Sequence, residues 1–447
     1  MRILHLPGRA VWGYSEKEIE DILEYFKPDI SLTTQMKWKL KRKVESVSKY
    51  ETIHMDSVDG YKERNLDDEI LVILRDSDAA PKLDFNGYRG KRKLVITDLI
   101  REQMDTSSFD FSLANASIVD ELKGEDDLHI LSTEIEAGKK PEHGGHRIYG
   151  FGLSSGLGDD KIPNLVTGKR PHIEFLDSKK VGLAAIPGLG GKFSTKLENM
   201  GISTRDDLSG LNPREILDYE GIGPYRSTKW VCSARSLEEE SVFRIKENDL
   251  KGRHRLFIDI ETDSLQPNII WHIGLSDDRD GEYHSFLEKD PDKKGRIIRH
   301  FMDYLEEEIG EDTCLLAWYG KKFDFEHLGE FIGRYDPDRK HIWEEVEKID
   351  FMEWSDKHAA LPCRSSKLYD VSSRLGYESS LLGLDGGDVG RIYSRYMTDR
   401  DLEPDWEELK TYAKDDVMSM KYIYDEIKKG PILHDIDEIK KEYGERY

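Results

Sequence analysis

The stretch "FIDIETDSL", residues 257–265, decides how this chain is read. Its pattern predicts a strand. In a strand, residues two apart share a face, so Asp259 and Glu261 point one way and Ile258 and Ile260 the other. The isoleucines can pack a core. The two acids repel each other unless a cation lies between them. A solvated edge strand would also tolerate such a pair. The apolar flanks argue against that reading, as does "NIIWHIGL" (268–275), which reads as a neighbouring buried strand. Mg²⁺ suits paired carboxylates, because it prefers carboxylate, water and phosphate oxygens.

A metal site needs further acids to converge, and two later stretches supply them. In "LLAWYGKKFDFEHL" (315–328) a buried strand runs into a glycine turn, and Asp324 opens a helix. Alone, that acid reads equally well as a helix cap. In "ELKTYAKDDVMSMKYIYDEI" (408–427), Tyr412 and Asp416 are four apart and share a helix face. Val417, Met420 and Ile423 can pack the core beside them, and Asp415 points elsewhere. Singly, such residues are usually just surface residues.

In order, Asp-x-Glu, Phe-Asp and Tyr-x-x-x-Asp resemble the tyrosine-containing branch of the DEDD superfamily of 3′→5′ exonucleases, over roughly residues 253–430. "SKLYDVSSRLGY" (366–377) also looks like that family's segment before its final helix. The resemblance implies a ribonuclease-H-like α/β fold. It further implies two-metal phosphodiester hydrolysis by two Mg²⁺ ions ~3.5–4 Å apart, with Mn²⁺ fitting the same ligands. On that basis Asp259 bridges both ions, and Glu261 and Asp416 complete one of them. Asp324 supports the other directly or through water, and Tyr412 orients the attacking water. Where relatives often carry Asn before the Gly-Lys pair, this chain has Tyr319.

Upstream lies an internal repeat. "IPGLGGKFSTKLENMGI" (186–202) and "YEGIGPYRSTKWVCSARSL" (219–237) each place Gly-x-Gly before a basic helix, 33 residues apart: Gly188 and Gly190, then Gly221 and Gly223. "TRDDLSGLNPREILDY" (204–219) between them reads as a capped helix, a turn and another short helix. Glycine permits a tight turn and lets amides at a helix start approach a phosphate. Lys192, Lys196, Arg226 and Lys229 lie near those ends. The segment 181–237 holds seven Lys/Arg against six Asp/Glu, slightly positive within a chain of net charge −23. It resembles a tandem helix-hairpin-helix module, which implies contact with the DNA backbone. The bland alternative is a pair of structural turns. Gly191 after the first turn and Pro224-Tyr225 after the second depart from a uniform pattern.

Residues 1–175 read as an α/β domain to which the sequence assigns no chemistry. "RILHLP", "DISLTT", "EILVILRD" and "KLVITDLI" read as short buried strands. "SEKEIEDILEYF" (15–26) reads as a helix packing through Ile19, Ile22, Leu23 and Phe26, with a capping box from Ser15 and Glu18. Strand, helix, strand suggests a parallel start. Residues 136–165 look like loops around one short strand. Asp76, Asp78 and Asp98 follow strands and read as caps or turns, and His143 and His146 as an unliganded loop pair. Residues 238–252 read as a polar linker and 431–447 as a charged tail.

With 447 residues the chain is too long for one ordinary core, and the expected class is a multidomain α/β protein. Its 37% apolar and 35% charged residues fit a globular protein with an acidic surface, of the kind suited to high intracellular salt. It shows no membrane-spanning run and no signal-like start, and three scattered cysteines suggest free thiols; the expected location is the cytoplasm. The reading is a DNA exonuclease. Its alternatives are an RNA exonuclease of the same fold and a non-catalytic DNA-binding or scaffold protein.

Overall fold

The computed structural model describes every residue except 105–110, 123, 126, 154–160, 168–171, 218, 220, 380–385 and 445–447. The chain divides into two compact units, Met1–Ala185 and Ile186–Tyr447. Among the described residues, no helix is long and apolar enough to cross a membrane.

The first unit is built on two stacked sheets. One runs in the order His172–Asp177, Lys161–Val166, Arg2–Pro7, Ile30–Thr34, Glu51–His54. The last three strands are parallel, as the strand–helix–strand start predicts. The other sheet centres on Glu69–Leu74, Arg92–Met104, Leu128–Glu136 and His146–Gly152, all parallel. Ile3, Leu32 and Ile53 of the first sheet pack with Ile73, Ile96 and Leu131 of the second. The helix Glu16–Phe26 buries the four predicted residues, and Ser15 and Glu18 form the capping box. The span 136–165 departs from its loop reading. His146–Gly152 and Lys161–Val166 are core strands, and the part at 154–160 lies outside the described residues. The glycines conceal this: a Cβ on Gly150 would sit 1.9 Å from the carbonyl oxygen of Glu136, so close strand approach demands glycine there. Asp76 caps the turn Ser77–Lys82, and Asp98 pairs with Arg75. His143 lies 3.2 Å from Asp120.

The second unit holds a five-stranded sheet in the order Tyr283–Leu287, Ile270–Asp277, His254–Thr262, Thr313–Ala317, Glu347–Asp350. The central strand, His254–Thr262, runs antiparallel to Ile270–Asp277 and parallel to Thr313–Ala317. Both faces of the sheet are covered. Leu256, Ile258 and Ile260 pack against the helices Lys294–Glu308 and Asp324–Tyr335. Phe257, on the opposite face, packs beneath Met420, Ile423 and Ile427 of the long helix Trp406–Lys429.

The segment 238–252 is stitched into this unit. Phe243–Arg244 pairs with Ala359–Ala360, and the Trp354 indole donates to Asp249 at 2.8 Å. The chain's end likewise forms a helix, Ile436–Gly444, whose Glu442 takes two hydrogen bonds from Arg214 at 2.7 Å. All three cysteines are buried free thiols.

Candidate active site

The central strand carries the acids on the face that Phe257 begins. As the long helix passes back over that face, Val417, Asp416 and Tyr412 follow its core residues and come over Asp259 and Glu261. Carboxylate oxygens of Asp259, Glu261 and Asp416 lie within 4.8 Å of one another. Glu261 is buried, while Asp259 and Asp416 keep part of their surface open.

Asp324 is buried at the first turn of its helix and accepts a hydrogen bond from the Ile260 amide at 3.2 Å. This bond ties the acid to the central strand between Asp259 and Glu261. The turn before it is tightly made. A Cβ on Gly320 would lie 2.6 Å from that of Ala317 and 2.7 Å from the Phe325 ring. Tyr319, where the resemblance expects Asn, sits at φ +60°, a conformation Asn tolerates more readily than an aromatic residue. Asp324 stands beside the three-acid cluster rather than in it.

The four acids share one electrostatic problem. Burial, then the charges of Asp324, Glu261 and Asp416, pushes Asp259 well above the usual carboxylate range. Burial, Asp416 and Asp324 do the same to Glu261. Burial raises Asp324 to about 7 against the pull of its backbone hydrogen bonds. Burial raises Asp416 to about 7, opposed by a hydrogen bond from Tyr412. The charged groups that shift Asp259 and Glu261 are all other acids, so no cation among the described residues offsets the cluster. Three converging hard oxygen donors in that state fit a divalent cation.

Tyr412 lies against the same acids, and burial followed by Asp416 and Glu261 drives its phenol far above its ordinary value. It stays protonated and is a donor. Asp415 points away, accepting from Ser379 at 2.8 Å and Tyr377 at 3.3 Å. Asp263, the third acid of the opening stretch, braces a loop by accepting from the Asn268 and Ile269 amides.

Sequence reasoning missed Tyr283. Its hydroxyl is buried with no hydrogen-bond partner among the described residues, and after burial the charges of Asp259, Glu261 and Asp416 act on it most. Gly274 makes the room. It lies opposite Asp259 in register, and a Cβ there would come within 2.8 Å of the Tyr283 hydroxyl. The available signal was a glycine within a buried strand, opposite an acid.

The repeat is geometric as well as sequential. Gly188 and Gly221 have φ +75° and +84°. Leu189 donates to the Ile186 carbonyl at 3.1 Å, and Ile222 to that of Tyr219 at 2.9 Å. Gly190 and Gly223 take the N-cap positions of helices Gly191–Asn199 and Pro224–Glu239. The Phe193 and Trp230 rings meet at 5.1 Å between the two turns. Lys192 is exposed and Lys196 half-buried. Arg226 is exposed and donates to the Gly221 carbonyl at 2.7 Å. Lys229, expected at the phosphate-facing end, is buried instead. Its ammonium donates to the Ala359 carbonyl and pairs with Asp356 at 2.8 Å.

Residues 256–428 match the model of RNase_H_2, a family of the RNase_H superfamily; the match spans less than half of the chain. With the strand order described above, it identifies the C-terminal domain as RNase H-like. No curated protein matches. Similar solved structures include E. coli exonuclease I in complex with a dT13 oligonucleotide, at 15% identity and a TM-score of 0.23, covering 33% of this chain and 42% of that one. A dA16 complex of the same enzyme gives 15% and 0.24, covering 34% and 42%. A product-bound exonuclease I gives 15% and 0.23, covering 34% and 45%. The chain thus spans less than half the length of these structures.

Proposed function

We propose that the C-terminal domain is a metal-dependent 3′→5′ exonuclease that hydrolyses the phosphodiester bonds of DNA. The observation that carries this reading is the convergence of Asp259, Glu261 and Asp416 oxygens within 4.8 Å, with Asp324 bonded to the same strand. Asp259, Glu261 and Asp416 would hold one ion, and Asp259 with Asp324 a second. Bound there, Mg²⁺ or Mn²⁺ supplies an activated water and neutralises charge developing on the phosphate. Tyr412, protonated beside Asp416 and Glu261, orients rather than abstracts a proton. The 3′→5′ direction rests on the order of the three motifs.

The preference for DNA rests on the two hairpins. Gly188, Gly190, Lys192 and Lys196 of the first, with Gly221, Gly223 and Arg226 of the second, would meet the phosphate backbone. The first is the better built for this. Gly191 offers an amide where Pro224 has none. Lys229 takes no part, being spent on Asp356.

The test is digestion of 5′-labelled DNA and RNA oligonucleotides with Mg²⁺, beside EDTA and Asp259→Ala controls. A ladder shortening from the 3′ end, absent in both controls and stronger on DNA, supports the reading. A stronger ladder on RNA transfers it to the RNA alternative. No cleavage with DNA binding intact sinks the catalytic claim.

A further inference from the structure

Of the eight tryptophans in this chain, five are buried and Trp318 is half-buried. The remaining two, Trp12 and Trp38, are 60% and 62% exposed. Trp12 lies in the turn after the strand Arg2–Pro7, and Trp38 opens the helix Trp38–Val47 that follows Ile30–Thr34. The two strands pair in parallel, so their loops leave at the same end. Gly8 lets the loops meet: its amide bonds the Thr34 carbonyl at 2.8 Å, and a Cβ there would sit 2.4 Å from the Gln35 carbonyl oxygen. The Lys37 ammonium lies 4.6 Å from the Trp12 ring, and the Arg42 guanidinium 4.9 Å from that of Trp38. Lys43 ties the helix to the turn through the Tyr14 carbonyl at 2.7 Å.

The charge around these indoles is anomalous for the chain. Residues 37–43 read KWKLKRK, five of seven basic. No acid occurs in 1–15 or in 30–44, although 90 of the 447 residues are acidic. A random 30 residues of this composition would hold about six. Exposed indoles in a solvated protein are uncommon and mark contact surfaces. We propose that this face binds single-stranded nucleic acid, with Trp12 and Trp38 stacking on bases and Lys37, Lys39 and Arg42 meeting phosphates. Indole faces beside cations are the ingredients of sequence-tolerant strand binding. An interfacial membrane helix needs a free apolar face, and this helix has already buried Leu40 and Val44 in its own domain. An acidic protein would satisfy the cations and leave the indoles unused.

The experiment is fluorescence anisotropy of a 5′-fluorescein dT20 strand titrated with the full-length chain in EDTA, at ~50 and ~200 mM salt. EDTA halts any cleavage, so the outcome is independent of the catalytic proposal. Replacing both indoles (Trp12→Ala with Trp38→Ala) should weaken binding by about tenfold or more, and Trp12→Phe with Trp38→Phe should recover most of it. Lys39→Glu with Arg42→Glu should weaken binding and flatten its salt dependence by about two units of slope. Melting should not move, because all four side chains are exposed. Unchanged affinity in the alanine variant overturns the proposal. So does indole-dependent binding to phosphatidylserine vesicles without indole-dependent binding to the oligonucleotide.

Discussion

Replacing Asp259 by Asn should make the metal-free protein more stable, against the usual cost of changing a central residue. The cause is the crowding of carboxylates without countercharge. A group whose folded pKa is raised binds a proton more tightly in the fold than in the unfolded chain. Its presence therefore costs stability as pH rises above its ordinary value of 3.8. At an effective dielectric of about 20, two like charges within 4.8 Å of Asp259 would together cost about 6–7 kcal/mol. Asp259 keeps part of its surface open, so water and relaxation reduce this to about 2–3 kcal/mol. For a unit of this size that is a rise of about 5–10 °C in melting temperature. The assay is thermal unfolding by circular dichroism in EDTA at about pH 8 and about pH 4.5. Asp259→Asn should melt higher than wild type at the first and close to it at the second. Added Mg²⁺ should raise the wild type and leave the variant where it was. A variant that melts at or below wild type in EDTA at about pH 8 would refute the repulsion on which the metal assignment rests.

Tyr412→Phe should lower kcat by about tenfold or more with little change in KM, because the phenol lies against the acids and would orient water; steady-state digestion rates measure both, and a change confined to KM would place Tyr412 in substrate binding. Lys229→Met should destabilise the second unit by about 1–3 kcal/mol in denaturant titrations while leaving DNA affinity unchanged, since the ammonium serves buried carbonyls; Lys192→Glu should do the reverse. His5 is buried, and burial lowers its pKa from 6.5 to about 4. The unfolded chain therefore takes up its proton first as pH falls, and stability should drop by up to about 3 kcal/mol between about pH 6.5 and pH 4; unfolding of His5→Gln should lose most of that slope, and an unaltered slope would exonerate the histidine.

The acids were legible because paired carboxylates in an apolar strand are something that packing does not explain. Two carboxylates two apart in an apolar strand have few other uses, and Tyr412 and Asp416 follow from helical spacing. The repeat was legible because glycine is required where φ is positive, at Gly188 and Gly221. What the sequence hid is tertiary cover. Helix Pro224–Glu239 reads as a basic helix with Arg226 and Lys229 near a phosphate-facing end, yet Ser227 to Ala234 are all buried. The segments that cover it, at 359–360 and 436–444, lie more than 100 residues away. The run of glutamates at 238–240 made 238–252 look like a linker, although Phe243, Ile245 and Leu250 anchor it in the core. Tyr283 escaped because its place beside the acids depends on a gap that Gly274 leaves on the adjacent strand.

The three carboxylates are claimed to form one divalent-cation seat, and Mn²⁺ titration followed by electron paramagnetic resonance tests that most directly. Wild type should sequester Mn²⁺ that Mg²⁺ can displace, and Asp259→Ala, Glu261→Ala and Asp416→Ala should each lose that binding while remaining folded. Retention of full Mn²⁺ binding in all three variants, or none in the wild type, would contradict the site.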